Sequence, residues 1–147
     1  MRDDGAEFDK LKLRFYSKNY RGVHMSRACK KGETILYVPL KEIITLEMCM
    51  ACPTGKLMFA RGFRNRLISP KHSFFSTFLM EEKRKQVSYW HKYIDILPKS
   101  FEAYPIFWTE EEMAWLEHTH MVHMVETKIE DMKKDYDVIC KEVPCYT

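Results

Sequence analysis

Apolar and polar residues alternate one for one along residues 11–15, as Leu, Lys, Leu, Arg, Phe, which is the two-residue period of a short strand. Phe8 and Tyr16 flank it. Two further strand-like stretches follow, residues 23–27 and the β-branched run 34–38 closed by Pro39, and the Lys-Gly-Glu turn at residues 31–33 predicts that they pair as a hairpin. Gly32 would supply the positive φ of that turn. Gly22, which has no Cβ, would let the backbone come close to another strand or to a ligand.

At Thr45 the period changes from two to three or four. Thr45 is placed to cap a short helix with Met48 and Cys49 inward, Pro53-Thr54-Gly55 breaks it, and a second piece runs through Leu57, Met58 and Phe59. Ser69 and Pro70 form an N-cap and first-turn pair, and Phe74, Phe75, Phe78 and Leu79 share the apolar face of the helix that follows; residues 81–85 read as its solvated, charged end. A third helical segment puts Tyr89, Trp90, Tyr93 and Leu97 on one face until Pro98 stops it. Phe101, Tyr104, Phe107 and Trp108 make the next loop too aromatic for disorder, and it is expected to fold back onto the helices.

Thr109 with Glu112 spells a capping box, and the acidic residues between them suit the positive end of a helix dipole. Met113 and Leu116 are then expected inward. Val122, Val125, Ile129, Met132, Tyr136, Ile139 and Val143 recur at intervals of three and four, a seam that reads as one face of a long amphipathic helix ended by Pro144. The fold class is therefore α+β: a small β region, residues 1–45, followed by a mostly helical region, residues 46–147.

With 147 residues, 46% of them hydrophobic, the chain is long enough for a sizeable core. A net charge of +3 with 31% charged residues is balanced and does not call for a nucleic-acid partner. No apolar run approaches the roughly 20 residues of a membrane helix, and the first residues carry no secretory pattern, so an intracellular setting, cytoplasmic or nuclear, is expected. Five cysteines in such a chain are expected to be reduced thiols. Cys49 and Cys52 have zinc-ligand spacing, and Cys140 with Cys145 could complete a four-sulfur site, but the second pair is wider and distant in sequence. No metal is assigned, and His118, His120 and His123 read as helix surface.

There is no phosphate-cradling glycine loop, no serine elbow and no carboxylate pair set up for acid–base work. Beyond a soluble α+β domain, the order of segments resembles one family. The stretch from Tyr20 to Pro39 is similar to the opening of a SET domain, the fold of S-adenosylmethionine-dependent protein methyltransferases. Residues 88–98 (Ser-Tyr-Trp-His-Lys-Tyr-Ile-Asp-Ile-Leu-Pro) and 107–112 (Phe-Trp-Thr-Glu-Glu-Glu) are similar to the helical insert of the subclass that holds plant Rubisco large-subunit methyltransferase and the actin-histidine methyltransferases.

The resemblance implies that Arg21, Gly22, Val23 and His24 line a methyl-donor site, with His24 where relatives often carry a basic residue near the cofactor carboxylate, and Tyr20 in place of a family glycine. It implies that Pro53, Thr54 and Gly55 form a second loop touching the same cofactor. It also implies that the channel is completed by an Asn-His pair and a tyrosine in a C-terminal part. No Asn-His dipeptide occurs in these 147 residues. The expected fold is thus an incomplete SET fold, and the expected function is a fragment or short form of a protein-lysine or protein-histidine methyltransferase, inactive alone, with no catalytic residue assigned. The alternative is a non-catalytic protein–protein interaction module. In either case a protein, substrate or partner, would cover the helical insert, and no specific nucleic acid or membrane is expected.

Overall fold

The computed structural model describes residues 4–18 and 20–143. Residues 1–45 and 46–147 form two compact units.

The first unit is built on one hairpin. Strands β1 (Leu11–Ser17) and β2 (Tyr20–Met25) run antiparallel, with Leu11 opposite Met25, Leu13 opposite Val23 and Arg14 opposite Gly22. The alternation at 11–15 does mark a strand, but its partner is the segment just after it. The expected pairing of 23–27 with 34–38 does not form. Ser17 faces Tyr20 across a tight reversal, and so short a connection closes with less entropy loss than the longer return from residue 34. Of the 34–38 run, only Tyr37 bridges: it exchanges two 2.9 Å backbone hydrogen bonds with Glu7. The turn at Gly32 exists, at φ +87°, and the Lys30 N–H donates to the Glu33 carboxylate across it at 2.9 Å.

The second unit is helical: α1 (Leu46–Ala51), α2 (Pro53–Ala60), α3 (Phe63–Arg66), α4 (Pro70–Arg84), α5 (His91–Asp95), α6 (Glu110–Met113) and α7 (His120–Glu142). Its core holds Phe63, Phe74, Met58, Val143 and Cys49, all fully buried. Helix α4 lies against α1, α2, α3 and α5, and its buried face is Phe74, Thr77 and Phe78. Trp90 stands edge-on to Phe78, Tyr89 and Tyr93, with ring centroids 5.2–6.4 Å apart. The aromatic loop after Pro98 does fold back, since its short turn Pro105–Phe107 packs against α7.

Four expectations are corrected here. The break near Pro53 is present, since α1 ends at Ala51, but Pro53 itself belongs to the second piece: it opens α2 at the first turn, where its missing N–H costs nothing, with the Cys52 thiol as the cap accepting from Gly55 N–H at 3.3 Å. The Ser69 side chain does not cap α4. Asp135 of α7 does so instead, its carboxylate accepting from the Ile68 and Ser69 N–H groups at 2.7 and 2.8 Å. Glu82 is buried and Glu81 largely so, rather than forming a solvated end. Along α7, Met132 and Tyr136 are exposed and Asp135 takes the inward position between them, because its two backbone donors lie on that side. The Thr109–Glu112 capping box stands as read, with both of its hydrogen bonds present. Pro144 and Cys145 lie outside the described residues.

Candidate functional site

Cross-strand pairs in an antiparallel ribbon share a face. Lys12, Arg14, Gly22 and His24 therefore lie on one side of the hairpin, and Leu11, Leu13, Phe15, Val23 and Met25 on the other, with Arg21 among them. A bulge between Phe15 and Ser17 leaves Tyr16 without a register partner, and such irregularities re-aim a side chain. The Tyr16 hydroxyl meets His24 Nε2 in a hydrogen bond, and its ring lies 5.0 Å from that of Tyr20 and 5.4 Å from the Arg14 guanidinium. A Cβ on Gly22 would stand 3.4 Å from the Tyr16 ring, an ordinary contact. The groups beside Gly22 within the chain are thus the Tyr16 ring and the His24 imidazole.

Pro53, Thr54 and Gly55 lie in the other compact unit and form a helix turn, not a loop. Thr54 N–H donates to Glu81 at 3.0 Å and Gly55 N–H to Cys52 at 3.3 Å, so the turn's donors are used internally. Gly55 answers to packing: a Cβ there would fall 1.8 Å from the Cys49 carbonyl oxygen. Thr54 and Gly55 are buried and Pro53 is exposed.

Burial pushes the Cys49 thiol up to about 11 and raises Cys52 as well, which keeps both protonated and unreactive at neutral pH. For Glu81 burial acts upward too, yet hydrogen bonds from the Thr54 hydroxyl and N–H outweigh it and hold the carboxyl below its ordinary value. Lys85 completes the cluster, 3.6 Å from Glu81 and ion-paired to Glu82, which also takes the Ser88 hydroxyl. Among the described residues no three His, Cys, Asp or Glu side chains come together as a metal site.

One feature of the first unit escaped the sequence reading. Glu7, Asp9, Lys10, Arg27, Glu33, Thr34 and Ile35 line an open cavity of about 330 Å³, crossed by the Lys10 ammonium, which donates to the Thr34 carbonyl at 2.9 Å and pairs with Glu33 at 3.4 Å. The Lys30 N–H and the Lys10 ammonium together hold Glu33 below its ordinary value. The only sequence signal was Glu33 beside the Gly32 turn.

Comparison with solved structures decides the architecture. The chain superposes on the SET domain of LSMT, a structure bound to methyl-lysine and AdoHcy, with a TM-score of 0.77, covering 97% of this chain and 31% of that one at 21% identity. The chain has the fold of part of a SET domain. Its sequence is similar to actin-histidine N-methyltransferases: 25% identical over 142 residues to that of Callithrix jacchus, 24% to that of Mus musculus and 23% to that of Homo sapiens. Each alignment takes in 96% of this chain and 23% of the relative, so the chain spans about a quarter of the length of the curated relatives it matches. No protein-family model matches it. The expected resemblance to SET-domain methyltransferases and the mixed α+β class are both present in these comparisons. No helix among the described residues is long and apolar enough to cross a membrane.

Proposed function

We propose that these residues are the N-terminal part of an S-adenosylmethionine-dependent protein methyltransferase acting on lysine or histidine. The observation that carries this reading is the match of 97% of the chain to a solved SET domain that holds AdoHcy. In this reading the Arg21–His24 segment of β2 offers its backbone at Gly22 and its imidazole at His24 to the methyl donor. The transfer itself breaks the donor's sulfur–methyl bond and forms a nitrogen–methyl bond as the substrate nitrogen gives up its proton. Positioning and preorganised electrostatics supply most of the rate of such a step.

The Asn-His pair that the SET resemblance calls for does not occur in the 147 residues. We therefore expect the purified 147-residue protein to transfer no methyl group and to bind S-adenosylmethionine without saturation below about millimolar, on the order of 4 kcal/mol of binding free energy or less. Calorimetric titration and a labelled-methyl transfer assay check this. Saturation at micromolar donor, or transfer to any protein, would overturn it.

One observation favours a protein partner as well. Large apolar side chains stand exposed on the hairpin and the aromatic segment, among them Phe15, Val23, Tyr104, Phe107 and Trp115. Apolar exposure within a unit, such as Phe15 and Val23 on one face of the hairpin, favours another surface. The reading places the protein inside the cell, cytoplasmic or nuclear, where its thiols stay reduced.

A further inference from the structure

A cavity of about 150 Å³ lies within the helical unit, where α1, α3 and α4 meet. Leu46 and Met50, one helical turn apart on α1, and the buried ring of Phe74 on α4 make its apolar lining. Its polar lining comes from Arg64 and Asn65 of α3 and Lys71 of α4, all exposed. Glu142 takes the two neighbouring arginines, Arg61 and Arg66, whereas Arg64 and Lys71 form no ion pair among the described residues. The cavity shares no residue with the Arg21–His24 segment or with Pro53–Gly55, so it stands apart from the methyl-donor reading.

We propose that this cavity receives one phenylalanine or leucine side chain of a partner protein, from a segment with an acidic residue beside that anchor. Size argues against a drug-sized small molecule, which needs ~300–1,000 Å³, while a cavity near 150 Å³ holds one benzene-sized ring. Charge decides the flanking residue. A carboxylate next to the anchor would meet Arg64 and Lys71 at the rim, with the Asn65 amide as a further donor, whereas a basic flank would bring like charges together. An apolar anchor seated in a pocket with polar contacts around it is how a few residues come to carry most of the energy of a protein interface.

Nuclear magnetic resonance tests it with the whole isotope-labelled 147-residue protein and a short peptide, uncharged but for two glutamates that flank a single phenylalanine. Amide shifts should saturate and centre on Leu46, Met50, Arg64, Asn65 and Phe74. Replacing the peptide's phenylalanine by alanine should weaken binding by at least about tenfold, the effect of losing one buried aromatic side chain. The double variant Arg64→Gln, Lys71→Gln should weaken it by about tenfold at low salt and leave the helical circular dichroism unchanged, because both side chains are exposed. Lys71→Gln alone, expected to weaken it by about threefold, serves should the double variant not fold. No saturable shift at these residues would overturn the proposal. Equal binding by the alanine peptide would do the same, as would undiminished affinity in the charge variants or phenylacetate competing as well as the peptide. Concentration-dependent shifts at the same residues without peptide would give the cavity to a second copy of the chain and overturn it too.

Discussion

The two units of this chain bury very different amounts of what they carry. In the helical unit Phe63, Phe74 and Met58 are at or below 1% exposure, and two of its carboxylates reach backbone donors: Asp135 takes two N–H groups and Glu81 a third. On the hairpin Leu13, Phe15 and Val23 are each more than half exposed. A two-stranded ribbon is marginal in water by itself, because it has no second layer to bury its apolar face. The difference teaches where each part finds its stability. The helices hold one another, and the hairpin depends on whatever covers it.

The largest effect should separate the two units outright. Phe74→Ala removes a fully buried ring from α4 and should cost about 3–5 kcal/mol in urea unfolding followed by far-ultraviolet circular dichroism. Phe15→Ala removes the same side chain from an exposed place and should stay within about 0.5 kcal/mol. Equal costs would erase the contrast. Next in size is Gly55→Ala, where the new methyl meets the Cys49 carbonyl; forcing α1 and α2 apart should cost about 3 kcal/mol and lower the midpoint of helical unfolding. An unchanged midpoint would mean that the two helices are not in close contact at that point.

Asp135→Ala should follow at about 2 kcal/mol, since it leaves the Ile68 and Ser69 N–H groups without their acceptor, while Asp135→Asn, which keeps one carbonyl oxygen, should recover part of that. Measured midpoints in the same denaturant decide it. The smallest effect is an acid sensitivity of the helical unit. The Glu81 carboxyl is held below its ordinary 4.5, so its contribution is present above that pH and disappears as the pH falls through the lowered value. Helical stability should drop on acidification below about pH 4.5, and Glu81→Gln should flatten that drop. A parallel loss in the variant would place the acid sensitivity elsewhere.

The same contrast governs how much of the molecule could be read from the sequence. Periodicity located β1, α4 and α7, and the Thr109–Glu112 box located the start of α6, because each signal acts within a turn or two of its own residues. What escaped were roles fixed by partners far along the chain. Nothing near residue 135 shows that its carboxylate caps a helix beginning at Pro70, so Met132 and Tyr136 were expected inward in its place. Pro53 reads equally as a breaker or as a first-turn residue, and Glu81 passed for a surface charge because its partner, Thr54, lies 27 residues earlier. The hairpin was expected one strand too late for a related reason: a glycine turn at residue 32 is a strong local signal, but chain-closure entropy favours the shorter reversal.

The candidate site was legible only through resemblance. Gly22 and His24 gained their setting from the bulge at Tyr16, which alternation alone does not forecast.

The most direct test of the SET reading is methyl transfer by a fusion in which residues 1–147 replace the matching stretch of the mouse actin-histidine N-methyltransferase. A folded fusion, shown by cooperative melting, should transfer labelled methyl from S-adenosylmethionine to a protein histidine or lysine, well above the relative with that stretch deleted. A fusion that folds and binds the donor, yet transfers nothing, would contradict the account.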